Sequence, residues 1–176
     1  MKPRVGISRC LLGDDVRYDG TNKRSAAVVE LSAQVEWIAV CPEVEVGMGV
    51  PREPIQLVAA ADGVRSAGEV VRLQGVDSRE DWTERMHDWA RERVSALAAQ
   101  HIDGFVLKAR SPSCGPAGVL VQHAGVESTP TGRGLFAEAL AMTIPGLPLI
   151  DEEALEDPHE RDRFIRRVRE FARLRR

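Results

Sequence analysis

Three cysteines, Cys10, Cys41 and Cys114, are the residues of this 176-residue chain best suited to chemistry. An odd number of cysteines cannot form a complete disulfide framework, and the first residues lack the apolar region of a secretory signal. A reducing compartment would also discourage disulfides. Thiolates are the ligands that zinc and iron–sulfur clusters prefer. Whether the three form one site depends on the elements that carry them.

Each cysteine lies just past a short run of β-branched and apolar residues that predicts a buried strand. The runs are residues 4–8, 35–40 and 104–108. Helical patterns separate them, which calls for parallel pairing through crossover connections. Because parallel strands end at one edge of a sheet, we expect the cysteines to meet there. The alternative is three unrelated buried thiols, the usual state of an isolated cysteine.

The whole pattern predicts an α/β fold: a three-layer Rossmann-like sandwich with a mostly parallel sheet, in one domain over residues 1–176. Helical spacing covers residues 25–34, 78–100, 132–143 and 158–174. The second helix should begin at a capping box, Ser78 to Asp81. Further strand signals lie at 55–73, as a hairpin or edge strand broken at Asp62-Gly63, and at 118–122 and 146–150.

The segment 43–54 contains glycines and prolines that argue against regular helix, so it should form a shaped loop near the site. Loops of this kind often carry function.

Composition limits the partners. The chain is 43% apolar with a net charge of −3, so it can bury a core but has no overall basic field for a phosphate backbone. We expect no duplex nucleic acid partner. No stretch approaches the roughly 20 apolar residues that span a bilayer, so we expect no membrane partner and a cytoplasmic location. The monomer is the expected state.

The number of thiolates bears on which metal they hold. A structural zinc ion takes four ligands and a catalytic one takes three with an open position. The histidines lie on helices or late loops, away from the cysteine loops: His87, His101, His123 and His159. The Cys-Pro and Cys-Gly-Pro turns are typical of loops whose amides bond to cluster sulfurs, which favours an iron–sulfur cluster. Three ligands on a four-iron cluster leave one iron free for a substrate atom.

Three motifs, in order along the chain, resemble the thiouracil desulfurase (desulfidase) family. They are VGISRCLLG at 5–13 followed by VRYDG at 16–20, CPEVEVGM at 41–48 with Pro51-Arg52, and LKARSPSCG at 107–115. The resemblance implies an enzyme with a [4Fe–4S] cluster on Cys10, Cys41 and Cys114. It also implies that the free iron takes the sulfur of a small thiolated pyrimidine. Water then replaces that sulfur, and hydrosulfide leaves without net redox change.

The resemblance also indicates two catalytic residues. It matches the family's catalytic glutamate to Glu45 and its catalytic serine to Ser111, with Ser113 as the rival serine. Glu43 is a second carboxylate in the same loop. Exchange of sulfur for oxygen requires proton transfer, which a positioned carboxylate can perform.

The resemblance implies a substrate that is thiouracil, thiouridine or its monophosphate. Lys23 and Arg52 lie in loops that should rim the site. Either would meet the ribose or phosphate of a nucleotide substrate, but each alone is more simply an ordinary solvated cation. Two other functions agree with the same cysteines. One is a non-enzymatic iron–sulfur or zinc-binding module, and the other is a sulfur carrier that donates sulfide.

Overall fold

The computed structural model describes residues 2–60 and 71–175, which form two β-sheets and their flanking helices. The strands, in chain order, are β1 Arg4–Ser8, β2 Glu36–Val40, β3 Ile55–Ala59, β4 Val71–Gly75, β5 Gly104–Leu107, β6 Val119–His123, β7 Val126–Gly132 and β8 Leu149–Asp151. The first sheet has the order β2-β1-β5-β8, and each of its pairs is parallel. It is the parallel sheet that the sequence predicts.

Helices cover both faces of this sheet. They are α1 Ala26–Leu31, α2 Pro42–Glu45, α3 Thr83–Ala99, α4 Leu135–Thr143 and α5 Pro158–Leu174, with 3₁₀ turns at Arg9–Leu12 and Ala154–Glu156. Val106 of β5 packs with α1 and α5, whereas Phe105 and Leu107 pack with α3 and α4, because successive strand side chains alternate between faces. The predicted three-layer α/β sandwich is confirmed. None of the helices in the described residues is long and apolar enough to cross a membrane.

A second sheet packs on the far side of α3 and α4. Its order is β4-β3-β6-β7, with antiparallel pairs at both ends and a parallel pair between β3 and β6. Met86 and Leu135 of the two helices share a buried cluster with Leu57 and Val121 of this sheet. The predicted hairpin corresponds to β3 and β4, and its break at Asp62-Gly63 lies outside the described residues.

Several boundaries differ from the sequence predictions: α1 ends at Leu31, α4 begins at Leu135, and β8 covers only Leu149–Asp151. Two further boundaries and one missed strand have a clear physical cause. The first residues of the loop predicted at 43–54 belong to helix α2. This helix begins at Pro42, and proline is favourable as the first residue of a helix. Helix α3 begins at Thr83 instead of Ser78, because the Ser78 hydroxyl bonds to Glu53 and accepts from the Glu80 amide, and so caps no helix. Strand β7 was not predicted, since its sequence VESTPTG is polar and contains a proline.

Gly6, in the middle of β1, provides a test of how tightly the sheet is packed. A Cβ at this position would lie 2.2 Å from Cδ2 of the fully buried Phe105. We expect Gly6→Ala to lower the free energy of unfolding by about 1–3 kcal/mol, the usual cost of overpacking. Chemical denaturation measures the change. The matched control is Gly6→Ala in a Phe105→Leu background, where the cost should shrink because the clashing ring is gone. An equal cost in both backgrounds would contradict this contact.

Candidate active site

The strand order places three loops side by side at one edge of the first sheet. Strand β1 lies between β2 and β5, so the segments that follow these strands are neighbours. Cys10 lies in the 3₁₀ turn after β1, Cys41 directly after β2, and Cys114 in the loop after β5. All three line one cavity of about 250 Å³. The structure thus brings together the three cysteines that the sequence singles out.

The three thiols are free, and burial controls their ionisation. Cys10 and Cys114 are buried, and Cys41 is half-buried. Burial raises the pKa of Cys10 to about 12, and it also raises the pKa values of Cys41 and Cys114. Buried thiols of this kind stay protonated unless a positive centre stabilises the thiolate. A metal centre in the cavity would provide that stabilisation.

The donor set fits a cluster better than a single ion. Within the described part of the chain, no three His, Cys, Asp or Glu side chains converge closely enough to hold one metal ion. A four-iron cluster gives each thiolate its own iron, so its cysteine ligands stand further apart than those of one ion. The three cysteines line one shared cavity, so each can provide a thiolate to such a cluster. An all-sulfur set also excludes hard ions such as Mg²⁺.

Local hydrogen bonds hold the cysteine loops in place. The Lys23 amide donates to the Cys10 carbonyl at 2.9 Å, which ties the first loop to the segment before α1. In the third loop, the Cys114 amide donates to Ser111 Oγ at 3.1 Å, and the Gly115 amide donates to the Ser111 carbonyl at 2.7 Å. Ser113 Oγ lies 3.7 Å from Cys114 Sγ, close enough for a weak hydrogen bond to sulfur.

Glu43 is the carboxylate that lines the cavity. Its Oε1 accepts a hydrogen bond from Ser113 Oγ at 2.8 Å, and its Oε2 pairs with Arg52 Nη2 at 2.6 Å. Ser113 Oγ in turn lies 3.0 Å from Ser111 Oγ, so the two serines connect the cavity wall to the carboxylate. Ser113 is fully buried, whereas Ser111 is half-buried. All four side chains line the cavity.

Glu45 differs from Glu43 in its surroundings. It is not among the residues that line the cavity. Its Oε1 accepts from the Cys41 amide at 3.2 Å, and its Oε2 pairs with Arg93 Nε of α3 at 3.0 Å. These contacts satisfy a free amide at the start of α2 and fasten the Cys41 loop to α3. The predicted catalytic role of Glu45 stays a prediction, and Glu43 is the carboxylate found among the residues that line the cavity.

The cavity wall also carries cations, each of which has an acidic partner in the described chain. The pairs are Arg9 with Asp14, Arg17 with Asp19, Arg52 with Glu43, Lys108 with Glu152, and Arg110 with Glu153. Lys23, expected at the rim, is not a lining residue, whereas Arg52 is. The cavity is therefore rich in donors while its charges are locally balanced.

Sequence reasoning missed the pair of Lys108 and Glu152. Lys108 directly follows β5, and its Nζ donates to the Ala109 carbonyl at 3.1 Å and to Glu152. Glu152, which follows β8, also accepts from the Ala109 amide at 2.6 Å. The pair braces the start of the loop that leads to Cys114. Lys108 lies within the third motif and could have been singled out there, but nothing in the sequence links it to Glu152.

Comparison with known proteins agrees with this geometry. The family model of 2-thiouracil desulfurases matches residues 5–152. The Bacillus subtilis (strain 168) protein YbbK is 28% identical over 153 residues, which cover 86% of this chain and 97% of YbbK. A solved structure of the [4Fe–4S]-dependent thiouracil desulfidase TudS superposes with a TM-score of 0.67 at 29% identity, over 92% of this chain and 97% of TudS. The predicted family is confirmed: the chain belongs to the 2-thiouracil desulfurase family.

Proposed function

We propose that this chain is a [4Fe–4S]-dependent thiouracil desulfidase. It exchanges the thiocarbonyl sulfur of a thiolated pyrimidine for oxygen from water and releases hydrosulfide, with no net redox change. The observation that carries the proposal is the convergence of Cys10, Cys41 and Cys114 on one cavity that also holds Glu43. Family membership and the similarity to TudS support both the enzyme class and the cofactor.

The three cysteines would hold the cluster, each from a different loop. When bound, the cluster supplies an iron without a protein ligand, which acts as the Lewis acid that takes the substrate sulfur. The loop hydrogen bonds described above hold the cysteine loops in place. Lys108 and Arg52 line the same cavity, each paired with a glutamate.

Proton transfer is assigned to Glu43. The incoming water must lose protons and the departing sulfur must gain one, so a carboxylate that faces the cavity is required. Glu43 meets this requirement, and Arg52 fixes its orientation through Nε at 2.8 Å and Nη2 at 2.6 Å. Glu45 instead holds the loop of Cys41.

Ser111 and Ser113 have different parts in this proposal. Ser111, the half-buried serine, contacts the water or the substrate, as the family resemblance implies. Ser113, which is fully buried, connects Ser111 Oγ to Glu43 Oε1 through hydrogen bonds of 3.0 and 2.8 Å. The two hydroxyls thus give a proton a continuous path between the cavity and the carboxylate.

The substrate class is a thiolated pyrimidine base, nucleoside or nucleoside monophosphate. A neutral base needs no cation, whereas a phosphate would have to compete with the acidic partners of Arg9, Arg17 or Arg110. Thiouracil is therefore the first substrate to test. The domain is proposed to span the whole chain, of which the family match covers residues 5–152.

Iron content tests the cofactor. Protein reconstituted without oxygen should bind about four irons and four sulfides per chain and absorb broadly near 400 nm. Replacing any one of the three cysteines by alanine should remove most of the iron, because each thiolate holds one iron. Met142→Ala, an exposed change on α4, is the matched control and should leave the iron content unchanged. Zinc in place of iron in the parent protein would contradict the cluster.

The two glutamates give a second test. Glu43→Gln should keep the cluster and lower kcat by about 10²–10⁴-fold, because the amide cannot transfer the proton. Glu45→Gln, the matched variant in the same loop, should keep most of the turnover since the amide oxygen can still accept from Cys41. Steady-state sulfide release measures both. Loss of turnover in Glu45→Gln with activity retained in Glu43→Gln would reverse the assignment and support the role first predicted for Glu45.

A further inference from the structure

We propose that Tyr18 is the residue that recognises the pyrimidine ring, by stacking its phenol ring on the flat face of the substrate. This inference deepens the proposed function and rests on it. It adds a specificity-determining residue to a site otherwise described by its sulfur and proton chemistry. It also predicts that the cavity wall at Tyr18 binds planar heterocycles, with or without a thiocarbonyl group.

Tyr18 is the one tyrosine of the chain, and its surroundings differ from those of the other aromatic residues. The tryptophans and phenylalanines all belong to the three hydrophobic clusters. Tyr18 belongs to none of them and is 39% exposed. Of the described residues that line the cavity, it alone is aromatic. The Tyr18 ring is therefore an aromatic surface that lies in the cavity and does not pack in the core.

The hydroxyl of Tyr18 also lacks a partner in the described residues, where the hydrogen bond of Tyr18 runs through its backbone carbonyl. Tyrosine combines an apolar face with a polar tip, and both are commonly used where a ligand meets protein. In Tyr18 the tip, and the ring face that the Arg17 guanidinium does not cover, are left for a molecule in the cavity. A pyrimidine presents a flat π face together with ring and exocyclic polar atoms, so it matches both features.

The backbone around Tyr18 is fixed, so the ring is presented in a defined place. The Gly20 amide donates to the Arg17 carbonyl at 2.9 Å, which closes a turn, and Arg17 Nη1 bonds to Thr21 Oγ1 at 3.0 Å. The Arg17 guanidinium lies 5.3 Å from the centre of the Tyr18 ring, within range of a cation–π interaction. Preorganisation of this kind reduces the entropy lost on binding.

Arg52 contacts both Tyr18 and Glu43, through its backbone and its side chain respectively. The Arg52 amide donates to the Tyr18 carbonyl at 2.8 Å. The Arg52 side chain is the one that holds Glu43. The backbone of Tyr18 and the carboxylate of Glu43 are thus both bonded to Arg52. A base stacked on Tyr18 would be held in a fixed position relative to Glu43. Reaction at one particular ring carbon requires such positioning.

Binding of uracil tests the inference, because uracil has the ring of the substrate but no sulfur for the iron. With reconstituted holoprotein, Tyr18→Leu should raise the uracil dissociation constant roughly tenfold or more, the usual effect of removing one stacked aromatic. Tyr18→Phe keeps the ring and should stay within about threefold, which reports the hydroxyl alone. Met142→Ala is the control and should bind uracil like the parent. Calorimetry gives the constants, and the iron content of each variant verifies that the cluster is intact.

A kinetic comparison separates ring recognition from sulfur chemistry. Tyr18→Leu should raise KM for 2-thiouracil roughly tenfold, yet leave kcat/KM for thioacetamide, which has no ring, nearly unchanged. Equal uracil binding by Tyr18→Leu and the parent, or no uracil binding by the parent, would overturn the inference. A parent that releases no sulfide from any thiopyrimidine would overturn the proposed function. Weaker uracil binding in Tyr18→Leu would still support the ring site in that case.

Discussion

Parallel pairing of β1 with both β2 and β5 is the constraint on which the rest of this structure depends. It brings three chain segments that are distant in sequence to one edge of a sheet, and each segment then delivers a cysteine to the same cavity. The pairing in turn depends on close packing in β1, where Gly6 leaves room for Phe105. A change in the register of β1 would turn its alternate side chains to the wrong face and move Cys10 away from the other two.

The cavity combines buried thiols with balanced charge. Burial alone would keep the cysteines protonated, as their raised pKa values indicate. A metal centre changes that balance because it favours the thiolate, so cofactor binding and ionisation are coupled. Glu43 pairs with Arg52, whose side chain is only 6% exposed. An ion pair so well shielded from water supports function more readily than it supports stability.

Much of the fold could be predicted from the sequence, since buried parallel strands and amphipathic helices leave strong periodic signals. Helix α5 at Pro158–Leu174 has the predicted bounds, and β1 matches the first predicted run. The cysteines could be placed together because topology alone decides where parallel strands end. Strand β7 was missed because its pairing with β6, and not its own composition, makes it a strand.

The site was harder to predict than the fold because the orientation of a side chain depends on contacts made across the chain. Glu43 and Glu45 are two positions apart, and only the partners Arg52 and Arg93 show which carboxylate faces the cavity. Pro42 after Cys41 was a usable signal for a helical turn that separates their directions. The serines were recognised from the third motif, whereas their link to Glu43 required the structure.

The most direct test of the account is turnover of thiouracil by protein reconstituted without oxygen and without any electron donor. We expect repeated release of uracil and hydrosulfide in equal amounts from 2- or 4-thiouracil, since water replaces sulfur with no change in redox state. An intact cluster that releases no sulfide from the base, the nucleoside or the monophosphate would contradict it.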